Sequence, residues 1–166
     1  LTRLHKKEPE SQELADKIRE TSADHFTVLV AEDNMVNMLL ARTIIKRFAS
    51  NAILIEAKNG AEALAYCEKN RPDLILMDIQ MPVMNGFETA KALLEKYPQT
   101  KILAFSINDD VQDVVKMLNS GAKGYILKGA DPEELKKAIT VLNDGGRYFS
   151  AGVAEVAKEY YKQFPQ

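Results

Sequence analysis

The chain has 166 residues, 46% of them hydrophobic, with a net charge of −2 and basic residues scattered along its length. That size and apolar content suit one packed domain with some excess, and the charge pattern argues against a nucleic-acid footprint. No apolar run approaches the ~20 residues needed to span a bilayer, so no membrane insertion is expected, and no basic-then-apolar secretory leader is recognised. The single cysteine, Cys67, excludes an internal disulfide and reads as a packed thiol in a reducing, cytoplasmic setting. His5 and His25 stand in polar surroundings without partners at metal spacing and read as solvated.

Residues 1–26 are polar. Leu14 and Ile18 give a thin apolar stripe, enough for a short helix from about Ser11 but not for a core, so the segment is assigned as a linker or partly helical leader. From Thr27 onward, apolar runs alternate with helical periodicity. Strands are expected at 27–31, 52–56, 73–78, 101–106 and 125–128. The first helix, 35–48, carries its periodicity through Val36, Leu39, Leu40, Ile44 and Phe48. A second opens at Asn59-Gly60 and a third at Gly86. Asn108-Asp109 is read as the cap of a fourth, which bears Val111, Val114, Val115 and Leu118. The fifth is signalled by Asp131 as N-cap, Pro132 at the first position and Glu134 completing a capping box, and Gly145-Gly146 ends it.

Strict alternation of five strands and five helices implies an α/β fold, a doubly wound three-layer sandwich with a parallel sheet in the flavodoxin-like order 2-1-3-4-5. The domain is assigned to residues 27–146. In 147–166, Val153, Val156, Ala157, Tyr160, Tyr161 and Phe164 follow helical spacing and form an extra amphipathic helix. It is read as docking on its own domain. A homodimer or an output-domain contact through its apolar stripe is the alternative.

In that sheet order the topological switch point lies between strands one and three. Glu32 and Asp33 from strand one, Asp78 from strand three, Ser106 from strand four and Lys128 from strand five then meet at one carboxyl edge. Taken singly, a strand-end Asp is usually a cap and a strand-end Lys is usually solvated. Taken as a set, three clustered carboxylates need a proton or a shared cation, and hard oxygens of this kind suit Mg²⁺. A hydroxyl and an ammonium across the pocket complete a phosphoryl-binding group.

At these residues the chain resembles the receiver domain of two-component response regulators. The matching motifs are Val-Leu-Val-Ala-Glu32-Asp33-Asn34, Leu-Met-Asp78-Ile-Gln-Met-Pro82-Val-Met-Asn-Gly86, Ala-Phe-Ser106 and Gly-Tyr125-Ile-Leu-Lys128. The first half resembles receivers fused to hybrid sensor kinases, and the second half resembles receivers that precede helix-turn-helix output domains.

The resemblance implies that Asp78 is the phosphoacceptor, served by a sensor histidine kinase or a histidine phosphotransfer protein. It implies Mg²⁺ held by Asp33, Asp78 and the backbone carbonyl of Gln80, with Glu32 acting mainly through water. It also implies that Ser106 and Lys128 engage the phosphoryl group. Tyr125 would then rotate inward as the face of helix four, strand five and helix five reorganises. Helix one, with Asn34, Met35 and Met38, is the implied docking face for the donor. The chain's only chemistry would be its own phosphotransfer and slow autodephosphorylation, so no enzyme acting on other molecules is expected.

Two departures from the family pattern stand out. Ile107 occupies a position that is often small, which should hinder the hydrolytic water, and Gly129 stands where proline is common, which leaves the isomer of the Lys128–Gly129 peptide open. An inactive pseudo-receiver that serves as an interaction scaffold is the alternative reading, and retention of all five site residues argues against it. An aspartyl-phosphate hydrolase should carry an acid where Gln80 stands. With only about twenty residues after Gly146, no direct DNA binding is expected.

Overall fold

The computed structural model describes residues 26–165. The elements in order are β1 (Thr27–Ala31), α1 (Met35–Phe48), β2 (Ile53–Ala57), α2 (Gly60–Lys69), β3 (Leu74–Met77), α3 (Gly86–Lys96), β4 (Ile102–Ser106), α4 (Val111–Asn119), β5 (Gly124–Leu127), α5 (Pro132–Asn143), β6 (Tyr148–Phe149) and α6 (Ala151–Gln163). All strand pairs are parallel, in the order β2-β1-β3-β4-β5-β6. The doubly wound order expected from the alternation is therefore present, with one short strand added beyond β5. The helix expected near Ser11 lies outside the described residues. Phe26, assigned to the leader, is 1% exposed and packs in the core.

Strand residues alternate between the two faces of a sheet, and here each face has its own core. Val28, Val30, Leu74, Leu76, Leu103, Phe105 and Ile126 pack against α1 and α5. Leu29, Ala31, Ile75, Met77, Ile102, Ala104 and Tyr125 pack against α2, α3, α4 and α6. Cys67 is a buried free thiol on this second face, as expected, and burial raises its pKa. Among the described residues, no helix is long and apolar enough to cross a membrane.

Three local expectations change. In α1 the buried residues are Met38, Ala41, Ile44 and Ile45, while Met35, Val36 and Leu39 are exposed. Apolar spacing alone could not tell the core-facing stripe from this second, outward one, and Met38 points inward rather than toward a partner. The cap of α4 is Asp110, whose carboxylate accepts the Gln112 N–H at 2.8 Å, and not Asn108-Asp109. In α5, Asp131 caps through the Glu133 N–H rather than that of Glu134.

The C-terminal helix docks on its own domain. Val153 and Ala157 are buried in the core, and the Tyr160 hydroxyl donates to Asn119 Oδ1 at 2.9 Å at the end of α4. Short β6 covers the β5 edge, which would otherwise present unpaired backbone groups.

Candidate functional site

β1 ends at Ala31, which places Glu32 and Asp33 at the carboxyl edge, and β3 ends at Met77, which places Asp78 beside them. The Asp78 N–H donates to the Ala31 carbonyl at 2.9 Å, so the two acidic strand ends are joined through the ladder. One ligand oxygen from each of Glu32, Asp33 and Asp78 lies within 4.8 Å of the others. Glu32 and Asp78 are buried, whereas Asp33 faces solvent.

Lys128, the residue after β5, reaches across the cleft. Its Nζ is 2.7 Å from Glu32 Oε2 and 3.2 Å from Asp78 Oδ1, with all three side chains under 10% exposed. Glu32 Oε1 accepts the Asn34 N–H at 3.1 Å, and Oε2 meets only the Lys128 ammonium among the described polar groups. Asp78 Oδ1 also accepts the N–H of Ile79 at 2.9 Å. Burial, followed by the charge of Glu32, pushes the Asp78 carboxyl up to about 6, with Lys128 offsetting part of the rise. A single ammonium facing three carboxylates leaves the cleft short of positive charge. That donor set fits Mg²⁺, a hard cation that takes few protein oxygens.

The loop after Asp78 is held by close backbone contacts. A Cβ on Gly86 would sit 2.4 Å from the Asp78 carbonyl oxygen, and one on Gly60 would sit 2.5 Å from the Met84 carbonyl oxygen. Both positions need glycine because backbone passes where a side chain would be. Val83 in the same loop has φ 68°, a left-handed conformation that is costly for a β-branched residue. Gln80 follows at the rim with its side chain exposed.

On the far side, Ser106 ends β4 and is 3% exposed. Its Oγ accepts the Asn108 N–H at 3.1 Å, and the Asn108 carbonyl accepts the Tyr125 hydroxyl at 2.5 Å. Asn108 Nδ2 also donates to Asp113 in α4 at 2.8 Å. Tyr125 is fully buried and already points inward. Its pKa is raised by burial. Asn108 therefore links Ser106, Tyr125 and α4, a role hidden when it was read as a cap. Ile107 beside it is 78% exposed, and no described peptide bond is cis, that of Lys128–Gly129 included.

The five residues expected at the carboxyl edge are thus brought to one edge, with Tyr125 behind Ser106. Ser150, absent from the expected set of site residues, is buried and bonded to β5 at the same strand end.

Residues 28–140 match the family described as the response regulator receiver domain. The chain is 32% identical over 142 residues to the transcriptional regulatory protein DegU of Brevibacillus brevis, covering 85% of this chain and 60% of DegU. In solved structures it is similar to a LuxR-family two-component response regulator from Aurantimonas sp. SI85-9A1. The TM-score there is 0.76 at 27% identity, over 81% of this chain and 97% of that one. It also shares its fold, with a TM-score of 0.71 at 19% identity, with RcsB, seen as dimers bound to DNA; 81% of this chain and 68% of that one are covered.

These relatives overturn the expectation of no direct DNA binding. It rested on scattered basic residues and on the few residues after Gly146. Neither bears on a protein that spans only about 60% of a transcriptional regulator it matches. The profile match, the relatives and the shared sheet order together identify the chain as a member of the response regulator receiver domain family, the receiving module of two-component signalling.

Proposed function

We propose that the chain is a phosphorylation switch in which Asp78 accepts a phosphoryl group from the phosphohistidine of a sensor histidine kinase or histidine phosphotransfer protein. The observation that carries this reading is the buried Asp78 carboxylate, held 3.2 Å from the Lys128 ammonium at a sheet edge shared with two further acids. In the transfer, an Asp78 oxygen bonds to phosphorus as the phosphorus–nitrogen bond to the donor imidazole breaks. Lys128 stands where it balances charge on the phosphoryl oxygens, and Ser106 can donate to one of them. The Asp33 and Asp78 carboxylates and the Gln80 carbonyl would hold Mg²⁺, with Glu32 acting through water because its own oxygens are already engaged. Bound there, Mg²⁺ supplies positive charge against the transferring group.

Phosphorylation adds charge beside Ser106, and Asn108 relays a shift of Ser106 to Tyr125 and the first turn of α4. The exposed Met35, Val36 and Leu39 of α1 form an apolar patch next to the acid pair, suited to the donor's histidine-bearing helices. The chemistry is confined to self-phosphotransfer and slow hydrolysis, and the buried thiol fits the cytoplasm. Because relatives such as DegU are transcriptional regulators, we place transcription at the output, with DNA among the whole protein's partners.

The test is incubation with acetyl phosphate and Mg²⁺, followed by intact-mass measurement. The wild type should gain about 80 Da, one phosphoryl group, and Asp78→Asn should not. No gain with any donor would leave the interaction-scaffold reading in its place.

A further inference from the structure

Ser150 stands at the N-cap of α6, where serine ordinarily bonds the first free N–H groups of its own helix. It makes no such bond. Its hydroxyl instead accepts the Leu127 N–H at 3.1 Å, its own N–H donates to the Tyr125 carbonyl at 3.0 Å, and the residue is 3% exposed. β6 ends at Phe149, so the chain has left the ladder where β5 still presents one more N–H. The Ser150 hydroxyl fills the place of the missing strand carbonyl while the backbone turns into α6.

The residue so held immediately precedes Lys128. On the other side of the strand, the Lys128 N–H donates to the Ser106 carbonyl at 2.8 Å. The end of β5 is therefore clamped between β4 and Ser150, and the Lys128 side chain leaves from that clamp to reach Glu32 and Asp78. The same serine starts the helix whose Val153 and Ala157 are buried in the core and whose Tyr160 bonds Asn119 of α4.

We propose that Ser150 is a positioning residue for Lys128, and that through it the phosphoryl cleft and α6 are coupled. The coupling half rests on the phosphoacceptor reading above. If the docked helix steadies the ammonium that binds the phosphoryl group, occupancy of the cleft steadies helix docking by the same factor. α6 then becomes a route by which phosphorylation leaves the domain.

The test uses the full chain as wild type, Ser150→Ala and Ser150→Thr. Beryllofluoride in Mg²⁺ serves as the phosphoryl mimic, and Mg²⁺ alone is titrated separately. Ser150→Ala should weaken beryllofluoride binding about three- to tenfold, the loss of one hydrogen bond, without weakening Mg²⁺ binding; Ser150→Thr should restore it. Beryllofluoride should also slow amide exchange along α6 in the wild type and not in Ser150→Ala. Unchanged beryllofluoride binding, parallel loss of Mg²⁺ binding or failure of threonine to rescue would each overturn the proposal. A ligand-free readout separates this from failure of the phosphoacceptor reading. Carbon-13 relaxation should show Lys128 Cε more mobile in Ser150→Ala while Lys101 Cε is unaffected, and equal mobility at Lys128 would dismiss the positioning role even if no phosphoryl mimic binds.

Discussion

The acid–lysine cleft and the C-terminal seam meet at the carboxyl end of β5, and they are built on different physics. In the cleft, charged groups sit one or two residues beyond the strand ends, and strand order gathers the three carboxylates within 4.8 Å. At the seam, a two-residue strand, a diverted serine hydroxyl and a tyrosine–asparagine bond hold α6 in place. Topology determines the first. Individual side-chain geometry determines the second.

If the cleft is an electrostatic assembly, its cation is where it breaks most. Lys128→Ala leaves Glu32 and Asp78 buried without their counter-ion and should cost about 3–5 kcal/mol at pH 7 in denaturant unfolding, less at pH 5 where the Asp78 carboxyl is protonated. A loss under 1 kcal/mol at both pH values would mean that the carboxylates are solvated in solution.

Asp78 should behave in the opposite way. Its folded pKa of about 6 lies above the ordinary 3.8, so between those values the folded chain binds more protons than the unfolded one. The Asp78 contribution to stability is therefore greatest below about pH 4 and declines as pH rises to about 6. Asp78→Asn removes that decline and should stabilise the domain at pH 7 by up to about 3 kcal/mol. A wild type whose melting temperature is flat from pH 4 to 7 would contradict the raised pKa.

Smaller effects probe the loops around the cleft. Ile107→Ala clears an exposed side chain beside Ser106 and should speed loss of the phosphoryl group severalfold, read as decay of the phosphorylated mass. An unchanged decay would remove Ile107 from the account of slow hydrolysis. Val83→Gly relieves a left-handed β-branched residue that is 84% exposed, and should stabilise the fold by about 1 kcal/mol. At the seam, Tyr160→Phe deletes one exposed hydrogen bond and should cost about 0.5–1 kcal/mol.

The same division explains what was legible in the sequence. Runs such as Leu74–Met77, apolar on both faces, announce a central strand, and the alternation of strands and helices gives the sheet order and with it the gathering of Glu32, Asp33, Asp78, Ser106 and Lys128. The buried face of α1 was not legible, because Val36 and Leu39 keep helical spacing yet lie outward. Asn108 reads as a helix cap by residue type, but its contacts with Ser106 and Tyr125 depend on a loop path that spacing does not encode. β6 is too short for a periodic signal, and the use of Ser150 follows only once β6 has ended. Val83's positive φ has no residue-type signature at all.

The central claim is that Asp78, rather than a neighbouring acid, carries the phosphoryl group. Borohydride reduction of the phosphorylated chain converts the acyl-phosphate aspartate to homoserine, and peptide mapping then locates it. Homoserine at position 78 alone is the predicted result. Homoserine at position 33, or none in a chain that has gained the phosphoryl mass, would contradict it.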